Sequence, residues 1–354
     1  SAGLYEVGRA GKPLECLWRT RSLDDYIGTK ALPLNASWWG RGVADRYLPQ
    51  LDDFERALAP AGYAGARRRL RRFLLEMMAG PVAVSVLGGS MTVGVHSGAA
   101  WPALFGEHMR ALGHSVTVHN LAKSSTGSEY AASHILYDRP ELASSGLIIV
   151  DTSINDWYDW NVLGKRVGTA DSYDLLVQQL LELPHRPAVL ELATLHFHGA
   201  KRRMSDKVVY CSTNISDFPH SRAELFQLPI LSFPDAMCQC CGRDGLWLTN
   251  RKPITPNVPI NGINASMHPN ATTHDAVARM LVGALGLEME RACEAGGLQV
   301  PDHAAPAQRL QDAPFSRCLR FYKKTFTDFT LFDKSEEVAP FVEGHDGWQF
   351  ARDL

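Results

Sequence analysis

The sequence predicts an α/β protein whose parallel five-stranded sheet is covered by helices on both faces. Five short apolar segments, rich in Val, Ile, Leu and Ala, alternate along the chain with segments compatible with helices. Parallel strands joined by helical crossovers need helices on both sides of the sheet. The chain has 354 residues, of which 45% are hydrophobic and 21% charged, so it can bury a large core.

The individual elements follow from apolar periodicity and from the Gly, Pro and polar residues between them. Two helices, over residues 52–58 and 66–78, are predicted before the sheet. The predicted strands cover residues 82–87, 115–119, 147–150, 188–192 and 228–232. The predicted helices among and after them cover residues 101–112, 128–137, 172–183, 222–226 and 272–292.

The Gly, Pro and polar residues between the elements also divide the chain into three parts. Residues 1–80 are predicted to be a partly helical N-terminal extension, residues 81–292 the α/β domain, and residues 293–354 a small strand-rich accessory unit. Insertions at 196–220 and 238–263 interrupt the domain. Connections of that length are usually functional, so we expect them to cover the crevice at the carboxyl ends of the strands. Surface loops without such a role are the alternative.

The segment VAVSVLGGSMTVG, residues 82–94, is typical of a strand that presents a hydroxyl nucleophile. Gly88 and Gly89 allow a tight turn, and Ser90 then lies at the carboxyl end of the strand, close to a helix N-terminus. Backbone N–H groups at such a terminus favour negative charge, which suits the oxyanion of acyl transfer. An ordinary strand–helix turn is the alternative interpretation.

Three later loops carry polar or glycine residues that can join Ser90. Gly127 lies in NLAKSSTGSEY, Asn155 in the polar loop of LIIVDTSINDW, and His268 in MHPNATTH. Loops at the carboxyl ends of parallel strands meet in one crevice. We therefore expect these four residues to converge.

With these residues the chain resembles the SGNH (GDSL-like) hydrolase family over residues 81–287. The resemblance implies a three-layer, flavodoxin-like fold and ester hydrolysis. It also implies roles: Ser90 in GGSMT matches the nucleophile, Gly127 and Asn155 match donors of the oxyanion hole, and His268, followed by proline, matches the general base. The chain departs from the family pattern at Gly89, where aspartate is usual, at Ser153, where glycine is usual, and at Ala265, the position of the triad aspartate.

In the expected mechanism, His268 takes the proton of Ser90 as the serine oxygen attacks an ester carbonyl. With alanine at position 265, another group must orient the imidazole. The candidates are a backbone carbonyl, Asn264 and Asp235. His274, in the predicted helix that follows, is the alternative base.

Residues next to Asn155 suggest a carbohydrate substrate. Trp157 and Trp160 could stack on a sugar ring, and Asp156 could bind its hydroxyl groups, although packing beneath the insertions is equally open. Together with the resemblance, this predicts a serine esterase that removes a short acyl group, such as acetyl, from a carbohydrate. The alternatives are a carbohydrate O-acyltransferase with the same residues, a lipid esterase or thioesterase, and a catalytically inactive binding module.

The net charge and the hydropathy of the chain limit the classes of partner that it can bind. The net charge of −2 gives no electrostatic case for nucleic acid, and no apolar run is long enough to span a membrane. The arginine-rich run at 67–72 is interpreted as a solvated helix face, with lipid-surface or acidic-partner binding as the alternative.

No cofactor or metal is predicted. The pair His196 and His198 lacks a suitably spaced third ligand, and the CQCC cluster at 238–241 is compatible with disulfides, reduced thiols or, less well, zinc. The cysteines and the glycosylation sequons predict a glycoprotein in the secretory pathway lumen or outside the cell. Sequons begin at Asn35, Asn214, Asn264 and Asn270, but glycans on the last two would crowd His268, so these two are interpreted as coincidental or as part of the family motif.

Overall fold

The computed structural model describes residues 22–39, 44, 48–58, 67–95, 97–135, 139–161, 164–194, 220–238 and 268–294. Nearly all of the two insertions and of the C-terminal unit lie outside these residues, as do Asn264 and Ala265. The three-part division of the chain therefore stays a prediction. No helix among the described residues combines the length and the apolar character that crossing a bilayer requires.

Five parallel strands confirm the predicted sheet. They are β1 (Val82–Gly88), β2 (Val116–Asn120), β3 (Leu147–Asp151), β4 (Ala188–Ala193) and β5 (Ile230–Ser232). Their spatial order is β2-β1-β3-β4-β5, and each neighbouring pair is parallel. This is the flavodoxin-like order, in which the chain changes direction of winding between β1 and β3. Ligands of such sheets bind at the carboxyl ends of the strands beside that point.

Helices precede, connect and follow the strands. Before the sheet come α1 (Leu23–Ile27), α2 (Leu51–Leu58) and α3 (Arg68–Ala79). The connections and the end of the domain contain α4 (Ser90–Val93), α5 (Trp101–Ala111), α6 (Ser128–Tyr130), a π-helical turn (Ala131–Ile135), α7 (Pro140–Ser144), α8 (Ser153–Asn161), α9 (Arg166–Leu181), α10 (His220–Leu225), α11 (Phe233–Cys238) and α12 (Ala271–Glu294).

Alternate residues of the strands enter two separate cores, one on each face of the sheet. On β3, Leu147 and Ile149 pack with α2, α3, α5 and α12, whereas Ile148 and Val150 pack with α7, α9 and α10. Successive side chains of a strand point to opposite faces, so a strand covered on both sides must be apolar throughout. This explains why β3 appears in the sequence as the apolar run LIIV before Asp151.

The described part of the N-terminal extension belongs to the first of these cores. Tyr26, Leu32 and Phe54 are buried in it together with residues of the sheet. Two glycines of α12 permit the close approach: a Cβ at Gly283 would stand 2.3 Å from the Phe54 ring, and one at Gly286 would stand 2.9 Å from Tyr26. The described part of the extension therefore packs on the α/β domain.

One local prediction is wrong and another needs refinement. Asn155 does not lie in a loop but in the first turn of α8, whose backbone begins with hydrogen bonds from the N–H groups of Asn155 and Asp156 to the Thr152 carbonyl, both 3.1 Å. Ser, Asn and Asp are poor residues inside a helix but favourable at its start. The helix predicted over 128–137 is present over residues 128–135, where the short α6 continues into the π-helical turn.

The arginine-rich run at 67–72 is not a solvated face. Arg67 and Arg71 bind the buried carboxylate of Glu288 at 2.8 and 3.0 Å. Arg69 donates to the Leu181 carbonyl at 3.1 Å. The run thus joins α3 to α12 and to the end of α9.

Candidate active site

Ser90 is the first residue of α4, directly after the turn that ends β1. The turn is tight: a Cβ at Gly88 would stand 2.0 Å from Thr92 Oγ1 and 2.9 Å from the Asp151 carbonyl oxygen. The helix ends at Gly94, whose φ of 80° is left-handed. Because the first N–H groups of a helix have no intrahelical partner, the N–H of Ser90 is available to an anion.

His268 lies next to Ser90 although the two are 178 residues apart in sequence. The distance from His268 Nε2 to Ser90 Oγ is 2.9 Å, a hydrogen bond. His268 comes just before α12, where Asn270 accepts hydrogen bonds from Thr273 N–H at 3.1 Å and His274 N–H at 3.0 Å. The start of α12 therefore determines where the imidazole lies.

Gly127 and Asn155 lie around the same turn. A Cβ at Gly89 would stand 2.3 Å from Asn155 Oδ1 and 3.1 Å from the Thr126 carbonyl oxygen. A Cβ at Gly127 would stand 3.4 Å from Asn155 Cβ. Gly127 immediately precedes α6, so its N–H, like that of Ser90, belongs to a helix start. The structure thus brings together the four residues that the sequence singled out.

Asp156 fastens the Gly127 segment to α8. Its Oδ1 accepts hydrogen bonds from Ser128 N–H at 2.8 Å and from Ser128 Oγ at 3.0 Å. A Cβ at Gly127 would stand 2.3 Å from the same oxygen. Burial, opposed by the hydrogen bonds from Ser128, raises the pKa of Asp156 to about 7.

The predicted sugar contacts stay predictions. Asp156 and Trp157 are both buried. Trp160 belongs to the last turn of α8, but its side chain lies outside the described part of the structure.

Asp151 was missed by the sequence analysis. This buried residue ends β3, and its carboxylate accepts hydrogen bonds from Thr92 Oγ1 at 2.7 Å, Thr194 Oγ1 at 2.8 Å and Trp101 Nε1 at 3.2 Å. Burial raises its pKa to about 7, against the effect of these three donors. Asp151 therefore links the helix of Ser90 to α5 and to the end of β4. Its position at the end of the apolar run LIIVD was the only signal in the sequence.

His274, the alternative base, has a different environment. Its Nδ1 accepts a hydrogen bond from the Trp101 N–H at 3.2 Å. Burial and, secondarily, the neighbouring His268 lower its pKa to about 4. It is therefore a neutral, buried acceptor at the junction of α5 and α12.

Asp235 stays a candidate to orient the His268 imidazole. It lies in the first turn of α11, and its carboxylate accepts a hydrogen bond from Ser232 Oγ. Burial, opposed by that bond, raises the pKa of Asp235 to about 6.

Within the described ranges, no group of three or more His, Cys, Asp and Glu side chains could hold a metal ion. His196, His198, Cys240 and Cys241 lie outside those ranges, and the side chain of Cys238 lies outside the described part of the structure.

No protein-family model and no curated protein matches the chain. Among solved structures, it is 19% identical to a two-domain esterase active on acetylated mannans, with a TM-score of 0.47 over 72% of this chain. The chain spans 60% of the length of that esterase. It is 16% identical to a carbohydrate esterase family 3 from Talaromyces cellulolyticus, with a TM-score of 0.37 over 59% of this chain and 99% of the other. For the lipase Lip_vut3 from a goat rumen metagenome, the identity is 16% and the TM-score 0.37, over 57% of this chain and 97% of the other.

Proposed function

We propose that the chain is a serine esterase of the SGNH (GDSL-like) type. The observation that carries this proposal is the 2.9 Å hydrogen bond between His268 Nε2 and Ser90 Oγ. It lies at the carboxyl ends of β1 and β3, where a sheet of this order binds ligands. A nucleophile within hydrogen-bond reach of a base, surrounded by N–H donors, is the arrangement that acyl transfer requires.

In the proposed first half-reaction, Ser90 Oγ attacks the carbonyl carbon of the ester while its proton passes to His268 Nε2. The negative charge moves to the carbonyl oxygen, which accepts hydrogen bonds from the N–H groups of Ser90 and Gly127 and from the Asn155 amide. Removing one such donor costs about 3 kcal/mol of transition-state stabilisation. The carbon–oxygen bond to the alcohol then breaks, and His268 protonates the departing oxygen, which leaves the acyl group on Ser90.

The second half-reaction repeats these steps with water. His268 takes a proton from the water, whose oxygen attacks the acyl carbon. The same donors stabilise the second tetrahedral intermediate. When it collapses, the carboxylic acid leaves and the proton on His268 returns to Ser90 Oγ.

The proposed substrate is a short acyl ester of a carbohydrate, such as an O-acetyl sugar. Trp157 and Asp156 directly follow Asn155 on α8, so a sugar held beside the oxyanion donors would lie near this segment. A location in the secretory pathway lumen or outside the cell is part of the same proposal. The exposed Asn35 is a sequon position that a glycan could occupy.

Acetate release from a panel of acetylated oligosaccharides and lipid esters tests the proposal, with Ser90→Ala as the control. We expect release from acetylated sugars that depends on Ser90. Transfer of the acetyl group to a second sugar would identify an O-acyltransferase instead, and preference for long acyl chains would identify a lipid esterase. If the folded protein acts on none of these esters, the proposed activity is wrong.

A further inference from the structure

We propose that the N-terminal segment 22–39, here called the brace, positions the general base. The brace holds the beginning of α12 and thereby keeps His268 at hydrogen-bond distance from Ser90. This inference rests on the proposed function, because it assigns a role in the same reaction. It makes Trp39, Thr272 and Asp275 positioning residues rather than catalytic ones.

Two hydrogen bonds join the end of the brace to the first five residues of α12. Thr272 Oγ1 donates to the Trp38 carbonyl oxygen at 2.7 Å. Trp39 Nε1 donates to Asp275 Oδ2 at 2.7 Å. Trp39, Thr272 and Asp275 are all buried. If either hydrogen bond were broken, water could not readily replace the missing partner.

Asp275 connects three elements. Besides the bond from Trp39, it accepts hydrogen bonds from His108 Nε2 on α5 at 2.8 Å and from Arg279 Nε on α12 at 2.7 Å. Although burial alone would raise its pKa, His108 and Arg279 lower it, so the carboxylate is ionised in the folded protein. A buried charge with partners on three segments resists displacement because each lost partner leaves it poorly solvated.

The middle of the brace binds Arg279, the same side chain that donates to Asp275. Arg279 Nη1 donates to the Leu32 carbonyl oxygen at 2.9 Å, and Nη2 donates to the Pro33 carbonyl oxygen at 3.1 Å. The brace is thus held at residues 32–33 and again at 38–39.

The geometry of the base depends on this end of α12. Two residues separate His268 from the first residue of the helix, and its Nε2 lies 2.9 Å from Ser90 Oγ. A shift of about 1 Å at a catalytic group can cost about 100-fold in rate. Fastening Thr272 and Asp275 therefore fixes the base as well as the helix.

The chain offers a control within the brace itself. Tyr26 is also buried, packs against Gly286 far along α12, and its hydroxyl group is hydrogen-bonded to His114 Nε2 at 2.6 Å. Trp39→Phe and Tyr26→Phe each remove one polar group and keep an aromatic ring. The first removes a bond to the fifth residue of α12, whereas the second removes the bond to His114, which precedes β2.

The experiment compares these two variants with the wild type in urea unfolding and in the kinetics of p-nitrophenyl acetate hydrolysis. Hydrogen exchange of residues 268–279 is measured in parallel. We expect Trp39→Phe to lower kcat about tenfold with little change in KM, since a misplaced base affects the transition state. Exchange in the first turns of α12 should accelerate. Tyr26→Phe should lose a comparable amount of stability but keep the wild-type kcat and the wild-type exchange rate in the first turns of α12.

A second pair of variants covers the case in which Trp39→Phe does not fold. Thr272→Val removes the hydroxyl donor to Trp38 and should lower kcat, whereas Thr272→Ser keeps the donor and should restore it. Equal kinetics in Trp39→Phe and Tyr26→Phe, or unchanged exchange in the first turns of α12 when the bond is lost, would overturn the inference. If the wild type itself hydrolyses no ester, the proposed function fails, and hydrogen exchange alone decides whether the brace holds α12.

Discussion

Gly89→Ala probes the proposed oxyanion hole with a single methyl group. The added Cβ would stand 2.3 Å from Asn155 Oδ1, 3.2 Å from Asn155 Cγ and 3.1 Å from the Thr126 carbonyl oxygen. The backbone of Gly89, with φ −97° and ψ −155°, is extended and open to alanine. The effect of the substitution therefore comes from the collision with the Asn155 amide and not from backbone strain.

The size of the effect follows from these distances. Real Cβ contacts essentially never fall below 3.0 Å, so either the Asn155 amide or the nucleophile turn must shift. A shift of about 1 Å can cost about 100-fold in rate, and loss of an oxyanion donor costs about 100- to 1000-fold in kcat. We expect kcat to fall within this range while KM changes little, because the donor acts mainly on the transition state. Overpacking should cost about 1–3 kcal/mol of stability.

The assay is steady-state hydrolysis of p-nitrophenyl acetate by Gly89→Ala, Asn155→Ala and the double variant. Gly80→Ala is the matched control, since a Cβ there meets nothing within 4 Å. The double variant should resemble the single variants, because both substitutions disable the same donor. Wild-type kcat in folded Gly89→Ala, or fully additive losses in the double variant, would refute this account of Asn155.

Two further predictions concern stability. Burial raises the pKa of Asp151 from 3.8 to about 7, so the folded state retains a proton that the unfolded chain releases. This contribution to stability, up to about 4 kcal/mol, is present below about pH 4 and is lost as the pH rises to about 7 and above. The free energy of unfolding, measured in urea across this pH range, should therefore fall more steeply for the wild type than for Asp151→Asn. Equal pH dependence in the two proteins would contradict the raised pKa of Asp151. Gly283→Ala places a Cβ 2.3 Å from the Phe54 ring and should cost about 1–3 kcal/mol, with kcat close to wild type. Unchanged stability in that variant would show that α2 and α12 are not packed as described.

The positions of the strands could be predicted because burial on both faces of the sheet makes most strands apolar. β1, β3, β4 and β5 are mainly apolar, whereas the edge strand β2, VTVHN, is largely polar. All five lie where the sequence placed them, within a few residues. The convergence of Ser90, Gly127, Asn155 and His268 was predictable for a related reason. Parallel strands bring their carboxyl ends to one edge, so residues that follow different strands can meet there.

The start of α8 was not predictable in the same way. The stretch TSINDW contains residues that favour turns as strongly as helix starts, so the sequence does not distinguish the two. The glycine at position 89 has a physical reason that only the structure reveals. The Asn155 amide occupies the space that a Cβ would need, so aspartate or alanine at this position would displace it.

The hydrogen bonds and ion pairs between side chains of distant segments could not be predicted from the sequence either. Asp151 acquires its environment from Thr92, Trp101 and Thr194, which belong to three separate parts of the chain. Trp39 and Asp275 are 236 residues apart. The arginine-rich run resembles a solvated surface until the buried carboxylate of Glu288 is known to lie beside it.

The intact mass of the protein after treatment with a fluorophosphonate probe tests the central claim most directly. An activated serine displaces fluoride and keeps the phosphonyl group, so its mass increases by one adduct. We predict one adduct on the wild type and none on Ser90→Ala or His268→Ala. Folded wild-type protein that stays unmodified, or an adduct that persists in Ser90→Ala, would contradict the assignment of Ser90 and His268 as nucleophile and base.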